Sequence, residues 1–214
     1  MSGSRAEGGA GGGAGGFGAP VAWVAGCLAA QDALDAGLAG LRDEQARAPS
    51  SLPGWSVGYV LTHVARNGDS LVWRLEGAAR GELRDQYPGG LEQRRADIET
   101  GAGRPADALV EDVARSSAAV ARVIAELPEE AWDAPSRSSR GVVEDSRDAV
   151  LARWREVVVH HGDLGPGFGA VEPPAALVGA WPPRELPKLA DRTDPAALLA
   201  WIIGRGEAPD LAPW

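Results

Sequence analysis

The hydrophobic positions along the chain recur every three to four residues in long segments, with turn-forming residues between them. The first segment covers about 20 residues from Val21 and precedes the helix breaker Pro49. The second begins after Ser56, a good N-cap behind a Pro-Gly turn, and continues to Gly77 or Gly81. This spacing predicts amphipathic helices that turn an apolar stripe towards a shared core.

Two further helices follow in the pattern. The third is predicted in one or two pieces, over 91–99 and 105–127, and its second piece opens on a proline. A loop rich in proline, serine and arginine is predicted over 132–141. The fourth helix begins near Asp145 and ends at Gly162. The pattern therefore predicts a mainly α protein built on four helices.

The residue composition of the chain changes at both ends. The glycine-rich leader 1–18 is predicted to be disordered, because glycine loses much backbone entropy on folding. A bundle domain is predicted over 19–165, followed by a small C-terminal subdomain over 166–214 that is α+β or irregular. Within that subdomain, one helical stretch over 195–203 follows the capping residue Asp194.

Composition excludes several classes of function. The formal net charge of -9 argues against a nucleic-acid partner, which needs clustered Lys and Arg. Cys27 is the only cysteine, so neither an intrachain disulfide nor a thiolate metal cluster can form. No stretch of about 20 apolar residues is present, and the leader lacks the features of a secretory signal. We expect a cytoplasmic protein without membrane contact, either monomeric or homodimeric.

The three histidines carry the most informative chemistry. Glu156 and His160 are four residues apart, so they project from one face of the fourth helix. His63 lies on the apolar stripe of the second helix, where the fourth helix must pack. A catalytic zinc site commonly has three protein ligands and one open position. These three residues are the predicted ligands of Zn²⁺ or another divalent metal, whereas His161 is rotated away and is expected at the surface or behind a ligand.

An alternative without metal remains open at this point. A histidine on an apolar face is often a hydrogen-bonded core residue, and Glu-His pairs at this spacing are common on helices. Glu156 precedes three valines, and a buried carboxylate is costly unless a cation compensates it. Arg153 or Arg155 could supply that charge in place of a metal. Asp163, three residues after His160, is a candidate acceptor for an imidazole N–H.

Two sequence segments resemble a known family. They are LPGWSVGYVLTHVARN over 52–67 and RWREVVVHHGDL over 153–164. Together they resemble the mycothiol-dependent maleylpyruvate isomerase family of DinB-like metalloenzymes, over about 21–164 and more weakly over 194–214. The resemblance implies a DinB-like up-and-down four-helix bundle that holds zinc through His63, Glu156 and His160, with a small C-terminal domain.

The resemblance also implies a reaction. Mycothiol, a small-molecule thiol expected in an actinobacterial host, would bind the metal as a thiolate and attack a small electrophile. Cis-trans isomerisation of maleylpyruvate is the first expectation; transfer of mycothiol to another electrophile is the second, and a non-enzymatic metal-binding or interaction bundle is the third. The family places an active-site arginine in the C-terminal domain, which indicates Arg205, although a helix-terminal role in solvent is equally consistent. Arg66, close after His63, is the other candidate catalytic cation.

Overall fold

Four long helices form where the apolar spacing predicts them. The computed structural model describes residues 20–169 and 171–211, so the predicted leader lies outside the described residues. The helices are α1 (Val21–Gly37), α2 (Asp43–Arg47), α3 (Val57–Ala78), α4 (Gly90–Gly101), α5 (Ala106–Glu126), α6 (Ser146–Asp163), α7 (Ala175–Ala180), α8 (Pro182–Glu185) and α9 (Pro195–Ile202). Short 3-10 segments lie at Glu129–Asp133, Pro166–Phe168 and Leu186–Asp191.

Side-chain caps fix the starts of three helices. The Ser56 hydroxyl accepts a hydrogen bond from the Tyr59 N–H at 3.1 Å, and the Asp145 carboxylate accepts one from the Asp148 N–H at 2.8 Å. Asp194 caps α9 in the same way. Each cap satisfies an N–H that has no partner within its helix and contributes about 1 kcal/mol. The three predicted helix starts are thereby confirmed.

The long helices α1, α3, α5 and α6 form a four-helix bundle, which confirms the predicted fold class. Leu34 near the end of α1 and Val157 near the end of α6 belong to one apolar cluster, together with Val60 near the start of α3. Cys27 near the start of α1 lies in a second cluster with Leu71, from the later half of α3. Helices α1 and α6 therefore run in one direction, and α3 and α5 run in the other. The consecutive bundle helices α3 and α5 are parallel, so the order is not the strictly alternating up-and-down one that the resemblance implied.

The parallel orientation of α3 and α5 requires a long connection. Residues 79–105 leave the end of α3 and return along its length, and α4 lies on this return path. Gly101 at the end of α4 packs on Thr62, where a Cβ would come within 2.6 Å of the threonine Cγ2. The connection therefore covers one side of the first half of α3.

A polar layer separates the two apolar clusters. Arg153 of α6 is its centre and is only 2% exposed. Its guanidinium donates to the side chain of Gln31 on α1 and to that of Asn67 on α3. Ser116 of α5 completes the layer by donating to the Ala65 carbonyl of α3. All four bundle helices thus contribute a polar group at one level.

The predicted loop over 132–141 is partly wrong, because it contains a strand. Strand β1 (Pro135–Arg137) pairs antiparallel with β2 (Val143–Asp145), and Ser136 faces Glu144 in the register. The buried Arg74 of α3 donates to the side chains of both. A tertiary ion pair thus fixes a hairpin that has no apolar alternation of its own.

The tail after residue 165 consists of short helices, and no strand is found among its described residues. Leu177 of α7 is 4% exposed and packs on the second apolar cluster, whereas most of α9 is exposed. The subdomain was predicted to be either α+β or irregular, and its described residues contain no sheet. No described helix combines the length and the apolar character needed to cross a bilayer.

Candidate metal centre

The three predicted ligands converge between α3 and α6. The Nε2 atoms of His63 and His160 lie 3.0 Å apart. Glu156 Oε2 lies 3.2 Å from the His63 Nε2 and 3.4 Å from the His160 Nε2. Residue His63 comes from the first half of α3 and the other two from successive turns of α6, so antiparallel packing of these helices brings them together.

These separations match what a small cation requires. Zinc binds nitrogen and oxygen at about 2.0–2.1 Å, so neighbouring ligand atoms of a tetrahedral site lie about 3.3–3.4 Å apart. The three observed separations are 3.0, 3.2 and 3.4 Å. Among the described residues, this is the one cluster of His, Cys, Asp and Glu with the spacing of a metal site. The three side chains could therefore hold a metal ion with one position open.

Asp163 orients one of the imidazoles. Its carboxylate lies 2.8 Å from the His160 Nδ1, so in the neutral ring this nitrogen donates the proton and the Nε2 lone pair is available to a cation. Burial lowers the pKa of His160, but the hydrogen bonds to Asp163 and Glu156 outweigh this effect and raise it. The predicted role of Asp163 as the acceptor behind a ligand matches this geometry.

His63 has a different partner. The Arg94 Nη2 of α4 lies 2.6 Å from the His63 Nδ1. A guanidinium has no lone pair to offer, so Nδ1 accepts this bond and the ring proton lies on Nε2. Burial lowers the pKa of His63, and the charge of Arg94 acts in the same direction. A cation at Nε2 must replace that proton, which makes Arg94 and a metal competitors for this imidazole.

Glu156 uses its two oxygens for different partners. Oε2 faces the histidines, whereas Oε1 accepts a hydrogen bond of 2.5 Å from the Arg155 guanidinium. Burial raises the pKa of Glu156, but hydrogen bonds from His160 and His63 and the charge of Arg155 hold it well below its ordinary value. The ion pair between Glu156 and Arg155, which the sequence analysis kept as an alternative to a metal, is thus present. It uses Oε1, so Oε2 still faces the two histidines.

The centre opens into a cavity of about 790 Å³. Trp55 lies against both imidazoles, with its ring centroid 5.5 Å from that of His63 and 6.5 Å from that of His160. Trp181 from the tail stacks on the Arg155 guanidinium at 4.0 Å and also lines the cavity. The cavity therefore combines aromatic walls with positive charge beside the candidate ligands.

The structure does not bring the two arginines predicted from the sequence to this cavity. Arg66 donates to Asp69 and Asp112 on the side of α3 that faces α5. Arg205 is exposed after α9, and neither arginine is among the described residues that line the cavity. Several other cations line it, and among them Arg94 and Arg155 are hydrogen-bonded to candidate ligands.

His161 is separate from the centre, as the helical rotation predicts. It is buried rather than at the surface, because the tail folds over it: its Nε2 donates to the Phe168 carbonyl at 3.0 Å. Trp55 lies within the segment 52–67 that carries the family resemblance, whereas nothing in the pattern indicated Arg94 or Trp181. Both arise from segments whose position depends on the tertiary fold.

Known proteins with a similar sequence or fold belong to the family that the two sequence segments resemble. Residues 27–165 match the family described as mycothiol maleylpyruvate isomerase N-terminal domain. The fold resembles the crystal structure of the mycothiol-dependent maleylpyruvate isomerase, with a TM-score of 0.66 and 25% identity over 79% of this chain and 67% of that chain. A histidine-to-alanine mutant of that isomerase gives a TM-score of 0.66 at 24% identity, with the same coverage. No curated protein sequence gives a significant match.

Proposed function

Because the chain belongs to the mycothiol maleylpyruvate isomerase N-terminal domain family, we propose that it is a mycothiol-using enzyme with a zinc centre at His63, Glu156 and His160. The observation that carries this proposal is the convergence of three ligand atoms, 3.0–3.4 Å apart, at the edge of a cavity. Two neutral imidazoles and one carboxylate match the preference of zinc for nitrogen and oxygen ligands.

Zinc bound here would retain net positive charge and lower the pKa of a thiol at its open position, which supplies a thiolate nucleophile at neutral pH. The surrounding residues have supporting tasks. Asp163 holds the His160 ring with Nε2 towards the centre, and Arg155 holds the second oxygen of Glu156. Trp55 covers the imidazoles and restricts water beside them.

The proposed reaction is cis-trans isomerisation of maleylpyruvate or a related small electrophile. Thiolate addition to the activated double bond allows rotation about the resulting single bond, and elimination returns the thiol and the trans product. An anionic substrate needs cations near the centre, and Arg94 and Arg155 line the cavity there. They replace Arg66 and Arg205 as our candidates for this role.

Transfer of mycothiol to a different electrophile is the second candidate. The specific observation behind it is that one third of the solved isomerase has no counterpart in the region matched by this chain. Residues of the tail, including Trp181 and Lys188, line the cavity here. A different wall beside the same centre is expected to accept a different electrophile.

Metal analysis tests the centre directly. Protein purified without added metal should contain about one zinc per chain, and His63→Ala and His160→Ala should each lose it. His161→Ala is the matched control, because its ring contacts the Phe168 carbonyl instead of the centre, and it should retain zinc. A zinc-free wild-type protein, or loss of zinc only in the His161 variant, would contradict the proposed ligand set.

A second experiment separates the two reactions. The protein is incubated with mycothiol and either maleylpyruvate or a bimane electrophile, and the products are followed as trans isomer or thioether. Isomer without thioether supports the isomerase, and thioether without isomer supports the transferase. If neither product forms with a zinc-loaded protein, the chain is a metal-binding module without this chemistry.

A further inference from the structure

Arg153 is a charged residue in an unusual place. It lies in the middle of the bundle with 2% of its surface exposed, and the acceptors of its hydrogen bonds are all neutral; the charges of Glu156 and Asp69 act on it only from a distance. Its Nη2 has no hydrogen-bond partner among the described residues. A buried charge that is not directly bonded to a carboxylate is costly, and an apolar side chain of similar volume is generally no worse for stability. Stability therefore gives no reason for an arginine at this position.

The contacts of Arg153 lie beside the candidate metal ligands on both helices. Its Nη1 donates to the Val64 carbonyl at 2.7 Å and to the Asn67 Oδ1 at 2.9 Å. Val64 follows His63 directly in α3, and Asn67 lies one turn further on. Arg153 itself lies one turn before Glu156 in α6. Two hydrogen bonds thus join the ligand-bearing helices within one turn of a ligand on each.

These hydrogen bonds fix the position of α3 along α6, which apolar packing alone specifies only loosely. The clusters on either side of the polar layer are held by contacts without directional preference. A slide of α3 along α6 by one residue is about 1.5 Å, which is enough to break both hydrogen bonds. The same slide exceeds the roughly 0.5 Å within which a metal-binding constellation must be held.

Resting on the zinc centre proposed above, we propose that Arg153 is a positioning residue: it fixes α3 against α6 so that His63 stands at binding distance from Glu156 and His160. The bond to Gln31 on α1 at 3.2 Å serves the bundle, because α1 carries no ligand. The two sides of one guanidinium therefore have different roles, and they can be separated by experiment.

The test compares variants that remove one partner each. Arg153→Met removes all donors, Asn67→Leu removes the side-chain acceptor on α3, and Gln31→Leu removes the acceptor on α1. Zinc affinity is measured by chelator competition, the geometry of the centre by the absorption spectrum of the cobalt-loaded protein, and stability by thermal unfolding of the metal-free protein. Arg153→Lys, which keeps one donor near the Val64 carbonyl, serves as the conservative rescue.

We expect Arg153→Met to lower zinc affinity by about 10–100-fold, as loss of a supporting contact does, without lowering the metal-free unfolding midpoint. Asn67→Leu should weaken binding in the same direction, Gln31→Leu should stay within about twofold of wild type, and Arg153→Lys should regain part of the loss. Wild-type affinity and an unchanged cobalt spectrum in Arg153→Met would overturn the proposal.

Two further outcomes are also decisive. If Arg153→Met does not fold, the comparison of Asn67→Leu with Gln31→Leu decides, and equal effects of the two overturn the proposal. If wild type binds neither zinc nor cobalt, the proposed function fails, and the positioning role is judged from histidine ring ¹⁵N shifts of the metal-free protein. Asn67→Leu should then alter the His63 signals and Gln31→Leu should not; the reverse contradicts it.

Discussion

Asp112 is the acceptor for three arginines, and its replacement by asparagine should destabilise the protein in a pH-dependent way. Arg66, Arg104 and Arg115 approach its two oxygens at 2.7, 2.6 and 2.5 Å, and the carboxylate side chain is 7% exposed. Asp112→Asn keeps the shape but removes the negative charge. Three cations then face one another around a neutral group.

The size of the effect follows from the pKa. Burial raises the pKa of Asp112, but the hydrogen bonds from Arg104, Arg115 and Arg66 lower it from 3.8 to about 2. A shift of this size corresponds to at most about 2.5 kcal/mol. Because Arg115 is 57% exposed and Arg104 32% exposed, solvent screening reduces our expectation to about 1–2 kcal/mol at pH 7.

The sign with pH follows from the lowered folded-state pKa. The stabilisation by Asp112 is fully present above the unfolded pKa of 3.8 and is lost as pH falls towards about 2. Urea unfolding of wild type and Asp112→Asn, followed by circular dichroism from pH 7 down to 2.5, should show two curves that converge only below about pH 4. Equal stabilities at pH 7, or a difference that does not shrink between about pH 4 and 2.5, would refute this reasoning.

Other predictions concern packing. Gly26→Ala should lower the free energy of unfolding by about 1–3 kcal/mol, because its Cβ would overlap the buried ring of Trp154. Gly162→Ala, in α6 with nothing within 4 Å of its Cβ, should instead be neutral or stabilising by up to about 1 kcal/mol, and urea titration of both separates crowding from helix propensity. His161→Ala should cost about 1–2 kcal/mol through the lost bond to the Phe168 carbonyl, and thermal unfolding that matches wild type would contradict this.

The helices and the cluster of candidate ligands could be predicted because their signals are local. Ser56 and Asp145 cap helices through their own neighbours, and the spacing of Glu156 and His160 follows from helical geometry. The position of His63 on an apolar stripe was enough to direct it towards α6. The predictions of fold class and family are confirmed, whereas metal binding itself stays a proposal.

The surroundings of the centre could not be predicted, because they depend on how distant segments meet. Arg94 reaches His63 only because α4 returns beside α3, and the direction of α5 that requires this return has no signature in the sequence. The strands over 135–137 and 143–145 are held by Arg74, which lies more than 60 residues earlier in the chain. Arg153 was considered as a counter-ion of Glu156, yet its partners are a carbonyl and two amides on other helices.

The return path between α3 and α5 has an evolutionary consequence. Residues 79–105 pass beside the candidate ligands, yet within this segment only Ile98 and Gly101 are buried. Substitutions there can change the side chains beside the centre, while the apolar contacts between the four bundle helices stay unchanged. The four-helix bundle thus holds the candidate ligands, whereas the exposed connection over 79–105 tolerates substitution. Substitutions in this connection alone could change which electrophilic substrate a descendant of this protein accepts.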